Sequence, residues 1–342
     1  MRIKTKDIIL YFFIFTFVFI VFLLQINKPI GIDVDSLNYF NIVNYENNSI
    51  ENYSFEPVFL LLINVSKFIS DNPFPVLLAF YFILSSLIKI ISIKKSADYF
   101  LLSFFAYIAF YLIVHDIIQI RIGLATAFFL LSLPDIANKK LTNFLIKITI
   151  ASLCHYSALI AFPLYFLSGT RLNRKKWIIL LSISFLIGLI NLKISEFITP
   201  LLNFMPTIIS AKVERYTILL DEGVHSDLEL FNYYNLTFLL VAIIGIIISK
   251  KIGSPFHIIS IKILLLSQCA FYTLSFLPVL AYRYSEFLGI TIIYVITYPL
   301  LIFNKKELPY LLILIFLTLV FLFNLFIKSY IDWSYIRYYD FF

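Results

Sequence analysis

Only 14% of the 342 residues are charged, eight are glycine and two are cysteine. Each shortage excludes a class of protein. A soluble globular domain carries about 25% charged residues, so that class is out. Scarce glycine excludes a collagen-like chain, and Cys154 and Cys269 alone cannot build a disulfide scaffold. The four histidines are scattered and no paired His or Cys spacing occurs, so no metal site is expected. There is no glycine-rich nucleotide loop, internal repeat, low-complexity linker or soluble domain. An outer-membrane barrel needs strands of alternating polarity, whereas the apolar runs here last for whole helices.

What the chain has is hydrophobicity: 61% of it is apolar and 18% aromatic. That composition fits an all-α polytopic integral membrane protein forming one transmembrane domain over residues 1–342. Crossing roughly 30 Å of hydrocarbon takes about 20 apolar residues. The clear spans are 8–26, 74–92, 99–114, 117–134, 177–192, 231–249, 257–278, 284–303 and 309–327, giving a bundle of about nine to eleven helices. The first has a basic start, but it is longer than a signal-peptide core and lacks a small-residue cleavage site, so it is read as a retained helix.

The net charge of +7 would point to nucleic acid in a soluble protein; in a membrane protein the placement of Lys and Arg matters more. Basic clusters at Arg2 to Lys6, Lys94 and Lys95, Lys139 and Lys140, Arg171 to Lys176, Lys250 and Lys251, and Lys305 and Lys306 mark cytoplasmic edges. The N-terminus is therefore expected in the cytoplasm. Acid-rich stretches at 27–54 and 192–230 are expected outside.

Two segments resist a simple crossing. Residues 55–70 must begin and end outside if Lys94 and Lys95 are cytoplasmic, which makes them a re-entrant or surface helix. Residues 141–168 are bounded by basic clusters and interrupted by polar Ser152 to Ser157, which makes them two short helices with an outer tip. Irregular backbone at membrane depth is tolerated only inside protein or beside a wet cavity, so such breaks tend to mark a site.

Ionisable residues beside apolar spans carry the functional reading, because charge is costly there. Arg121 lies about one turn inside its helix, with His115, Gln119 and Gly123 expected along one helical face. It either snorkels to headgroups or clamps an anion, and its fork of donors suits phosphate oxygens. His155 stands at the tip of the broken segment, where imidazole can exchange a proton near neutral pH or serve as a structural polar group. Arg283 follows Pro278 at a helix start, with Glu286 placed to pair with it; Arg215 lies in the second outer stretch. Asp33 and Asp35 form a D-x-D after the first helix, and Asp35 is a candidate base toward a sugar hydroxyl. Tyr39, Tyr45 and Tyr53 offer flat faces for sugar rings, and Glu56 stands where the chain re-enters.

The order of these motifs resembles the EpsG/Wzy-like polysaccharide polymerases. It runs D-x-x-x-Y (Asp35 to Tyr39), F-E-P (Phe55 to Pro57), Q-x-R-x-G-L-A (Gln119 to Ala125), A-x-x-x-H-x-S-A-L-I (Ala151 to Ile160) and Y-R (Tyr282, Arg283). That family often has an arginine shortly before the external aspartate, where this chain has Lys28 and Pro29. The resemblance implies a GT-C-type glycosyltransferase, independent of metal and cofactor, at the outer face of the bacterial cytoplasmic membrane. It would polymerise undecaprenyl-diphosphate-linked oligosaccharide repeat units for a capsule, O-antigen or exopolysaccharide, alongside a flippase and a chain-length regulator. It also implies roles for particular residues. Arg121 and Arg283, with Arg215, would hold the diphosphate; His155 or Asp35 would be the base; Gln119, Tyr39 and Glu56 would line the substrate. Two other classes compete: a flippase or transporter of the same lipid, and a membrane O-acyltransferase acting on surface glycans.

Overall fold

The computed structural model describes residues 5–44, 55–190, 228–328 and 330. Among them there is no strand, and six helices are long and apolar enough to cross a membrane. A seventh span is counted if the bent pair Pro278–Gly289 and Ile292–Leu301 is one crossing. The protein is thus an all-α polytopic membrane protein.

The chain divides into two compact units. The first comprises Met1–Ser132, Leu141–Phe162 and Tyr310–Phe342. Its helices are α1 (Thr5–Ile26), α2 (Ser36–Asn44), α3 (Pro57–Ile69), α4 (Pro73–Ser96), α5 (Phe100–Tyr107), most of α6 (Ile120–Ala137) and α7 (Leu141–Cys154). α4 is central and packs against α1, α2, α3 and α5, while α3 also packs on α7. The second unit, Leu133–Lys140 with Pro163–Pro309, holds α8 (Arg174–Ile190), α9 (Tyr233–Ile248), α10 (Pro255–Thr273), α11 (Pro278–Gly289) and α12 (Ile292–Val295). α10 is its hub, packed on α8, α9, α11 and α12. The last helix, α13 (Glu307–Phe326), lies mainly in the first unit.

Proline sets several starts. α3, α4, α10 and α11 each carry Pro in the first turn, where its fixed φ suits the helix and its missing N–H costs nothing. α4 ends on Lys94 and Lys95, cations suited to the negative end of the helix dipole. Outer helices are apolar all round: in α1, Phe12, Phe13 and Phe15 are exposed, and so are Leu311, Leu312 and Leu319 in α13. In water such a surface would drive association; in hydrocarbon it is matched.

The expected break in 141–168 falls at His155, between α7 and a 3-10 helix over Tyr156–Phe166. Pro163 has no N–H for an α-helical bond and its ring would crowd the carbonyl four residues back. Residues 55–70 form the short helix α3, too short to cross by itself.

Three expectations are corrected. The single span read over 284–303 is two helical pieces, Pro278–Gly289 and Ile292–Leu301, bent by 45°. The stretch 27–54 is not simply a loop, since α2 lies within it and buries Tyr39 and Val43. The third concerns the Arg121 helix. His115, Gln119 and Gly123 do not share one continuous helical face, because residues Ile108–Ile118 form a π-helix that ends at Gln119, where φ is −87° and ψ 59°. α6 starts anew at Ile120.

The π segment has a physical support. Its wider turns leave carbonyls without ordinary partners, and side chains from elsewhere supply them. Asn324 donates to the Ala109 carbonyl at 2.8 Å, Gln25 to that of Ile117 at 3.1 Å, and Lys28 to that of Ile117 at 2.6 Å. The chain then folds back so closely that a Cβ on Gly123 would lie 2.2 Å from the His115 carbonyl oxygen. Gly123→Ala therefore forces α6 away from the π segment. We expect loss of folded protein by at least severalfold, read as detergent-extracted yield and thermal stability, whereas an alanine as well tolerated as glycine would contradict this packing.

Candidate functional site

The site in the first unit is centred on Glu56. Its backbone is extended (φ −66°, ψ 142°) because it precedes Pro57, and this places the side chain at the head of α3. The carboxylate is buried, with 4% exposure, and is divided between two partners from distant parts of the chain. Arg121 Nη1 donates to Oε2 at 2.7 Å, and His155 Nδ1 lies 2.7 Å from Oε1.

Each partner is held by local structure. Arg121 opens α6 immediately after the Gln119 break, and its guanidinium lies over Phe59 at 4.9 Å, Tyr39 at 5.7 Å and Phe55 at 6.0 Å. Those rings brace one another: Tyr39 and Phe55 meet Phe59 edge-on with centroids 5.9 and 5.5 Å apart. The Tyr156 hydroxyl donates to the Phe55 carbonyl at 3.4 Å, tying the segment after His155 to the one before Glu56.

Burial by itself would raise the Glu56 pKa. The hydrogen bond from His155 and the charge of Arg121 outweigh it and hold the carboxyl down at about 2. Glu56 is therefore ionised and only accepts, so His155 Nδ1 must carry the proton between them. In the neutral ring that leaves Nε2 as the basic nitrogen. The Arg121 Nε is buried with no hydrogen-bond partner, a donor not used in the Glu56 pair. The cluster thus combines a basic imidazole nitrogen with guanidinium donors suited to an anion.

Several residues singled out by the sequence come together here: Arg121, His155, Glu56 and Tyr39. Tyr39 is only 4% exposed, however, and its ring faces Phe59 and Arg121, so it braces the arginine and is not an open platform for sugar. Gln119 lies at the break, where its N–H donates to the Val114 carbonyl at 2.8 Å and its own carbonyl accepts from Gly123 at 3.0 Å. Asp35 stands at the head of α2, its carbonyl accepting from Tyr39 N–H at 3.0 Å, and its charge reaches both Tyr39 and Lys28. Lys28, where the resemblance calls for an arginine, is tied to Asp33 at 2.9 Å. Arg283 is half-buried on α11 in the second unit. Arg215, Tyr45 and Tyr53 lie outside the described residues. Among the described residues, no three His, Cys, Asp or Glu side chains gather as metal ligands would.

Reading ionisable residues singly missed a second polar centre. Lys89 of α4 and Asp116 of the π segment are fully buried and paired at 2.6 Å. Asp116 also accepts from the Tyr107 and Ser85 hydroxyls. The signal was present in the sequence: a lysine within the apolar run 74–92, more than a helical turn before Lys94, demands a partner. His115, beside Asp116, is fully buried with its ring against Tyr111.

A family model described as the EpsG family matches residues 10–341. No curated protein and no solved structure matches the chain.

Proposed function

We propose a reaction from the premise that this chain belongs to the EpsG family, a family of Wzy-like polymerases, which places the protein in polysaccharide biosynthesis. The reaction is polymerisation of oligosaccharide repeat units carried on undecaprenyl diphosphate. The observation that carries the site is the Glu56 carboxylate, which joins Arg121 and His155 from two motifs of the resemblance at hydrogen-bond distance.

In this reading the acceptor sugar's hydroxyl oxygen attacks the anomeric carbon of the donor chain, and the bond from that carbon to the diphosphate oxygen breaks. The hydroxyl proton passes to His155 Nε2, while Glu56 holds Nδ1 and stabilises the imidazolium that forms. Arg121 meets the charge growing on the departing diphosphate. A diphosphate is already a good leaving group, so positioning and charge stabilisation suffice without a metal. Asp35 is the competing base, nearer to Tyr39 and Lys28. Arg283 and Arg215 rest on the family resemblance.

The outward orientation of the site is supported along single helices. Arg121 opens α6, and the basic pair Lys139 and Lys140 follows the end of that 18-residue helix in the sequence. α7 starts beside the same pair and ends at His155. If basic clusters mark the cytoplasmic edge, Arg121 and His155 belong to the opposite one.

The test is reconstitution of the purified protein with lipid-linked repeat units. Longer glycans are expected from the wild type, and unpolymerised single units from Arg121→Ala and His155→Ala made in normal amounts. Full-length polymer from both variants would refute the site assignment. Movement of the lipid without lengthening would mean a flippase, and added acyl mass would mean an acyltransferase.

A further inference from the structure

The second unit contains a strongly basic cavity of about 940 Å³ that the proposed reaction does not use. Two stretches far apart in sequence form it: residues 169–175, the loop before α8 with that helix's first two residues, and 249–253, which join α9 to α10, with Ile258 of α10 beside them. Arg171, Arg174, Lys175, Lys250 and Lys251 line it, and no carboxylate does. A cytoplasmic bias in Lys and Arg accounts for basic loops. It does not account for five cations converging on one concavity with no acid among its lining residues, since like charges gathered together repel.

The frame around the cavity is built. Leu172 and Ile252 are buried and anchor the two loops. Gly169 meets Pro255 so closely that a Cβ there would lie 2.6 Å from the proline Cβ. Lys262 donates to the Ser168 carbonyl at 2.6 Å. Arg174 donates to the Ile247 carbonyl at the end of α9, and its Nε is buried with no hydrogen-bond partner. α8 and α10 start at the cavity and α9 ends there, its Ile247 carbonyl taken by Arg174, so the helix dipoles partly cancel and the positive potential rests on the side chains.

We propose that this cavity binds a phosphate-bearing anion bridging the two loops. The same chemistry is offered by an anionic phospholipid headgroup and by a soluble phosphate or pyrophosphate. Cavities of this kind between membrane helices suit the headgroups of anionic lipids, and guanidinium donors suit phosphate oxygens.

The test uses the full-length protein in neutral detergent, with lipid adducts counted by native mass spectrometry. Phosphatidylglycerol and cardiolipin are compared with phosphatidylcholine, and inorganic phosphate and pyrophosphate are titrated separately. The wild type is expected to retain the anionic ligand, and Arg171→Ala/Lys250→Ala/Lys251→Ala to bind it at least about tenfold more weakly, since each cation near the surface contributes appreciably. All three side chains are exposed. Should that triple variant not fold, Lys250→Gln/Lys251→Gln serves in its place, with a loss of about fivefold or more. Lys305→Ala/Lys306→Ala, on a different turn, removes charge without touching the cavity and is expected to bind as the wild type does. Loss confined to cardiolipin or phosphatidylglycerol identifies a lipid headgroup as the ligand, and loss confined to phosphate or pyrophosphate identifies a soluble one. Equal binding of phosphatidylcholine with no phosphate binding, unchanged binding in the cavity variants, or an equal loss in the control would overturn the proposal.

Discussion

Glu56→Gln is expected to cut polymer formation by about 10² to 10⁴, up to the loss that follows when the carboxylate orienting a catalytic imidazole becomes an amide. Glutamine keeps the size and one carbonyl acceptor but removes the charge that both Arg121 and His155 face at 2.7 Å. His155 then loses the carboxylate that fixes its tautomer and stabilises its protonated form. Arg121 remains a partly buried cation with its counter-charge gone. Repeat-unit lengthening in proteoliposomes is the readout, with protein amount and melting measured alongside. A rate within about threefold of wild type would remove Glu56 from the mechanism. The pH dependence follows from the direction of the shift. The Glu56 carboxyl is held down at about 2 from an ordinary 4.5, so its contribution to stability is full above about 4.5. It is lost as pH falls from there toward 2. The melting difference between wild type and Glu56→Gln should therefore be constant at neutral pH and shrink over that acid range.

Breaking the Lys89–Asp116 pair should have an equally large effect, on folding instead of chemistry. Both side chains are fully buried, so removing either partner leaves an isolated charge in apolar surroundings. Lys89→Met and Asp116→Asn are each expected to destabilise by about 3–5 kcal/mol. The double variant should lose much less than the sum, because no charge is then left unpaired. Unfolding of the purified variants in detergent measures this directly, and strictly additive losses would show that the two residues act independently. The pair also bears on the site. Asp116 sits in the π segment next to His115, and the His115 carbonyl is what Gly123 packs against at the head of α6. A disturbed π segment should therefore displace Arg121, so surviving Lys89→Met protein is expected to polymerise poorly per folded molecule.

Much of this protein could be read from one dimension. Helix length and apolarity are properties of contiguous residues, so the spans at 8–26, 74–92 and 309–327 recur as α1, α4 and α13 with small shifts at their ends. The break at His155 was legible because a polar run interrupts an apolar one, and the family motifs were legible because each is a short local pattern. Pro57, Pro73, Pro255 and Pro278 stand in the first turns of their helices for a reason that is equally local.

Pairing was not legible in the same way. Glu56 stood in the sequence as one candidate among several, and only the tertiary structure made it the hub, because residues 56, 121 and 155 meet through packing of α3 on α7 and through the Phe55, Phe59 and Tyr39 rings beneath the guanidinium. The π-helix was also hidden, since its support comes from Gln25, Lys28 and Asn324, tens to hundreds of residues away. By itself, then, the sequence determined the membrane class, most of the spans and the residue types available for chemistry. Which charges are neutralised by which partners was decided only in three dimensions, because in a low-dielectric interior a charge's state depends on atoms within a few ångströms and not on its neighbours along the chain.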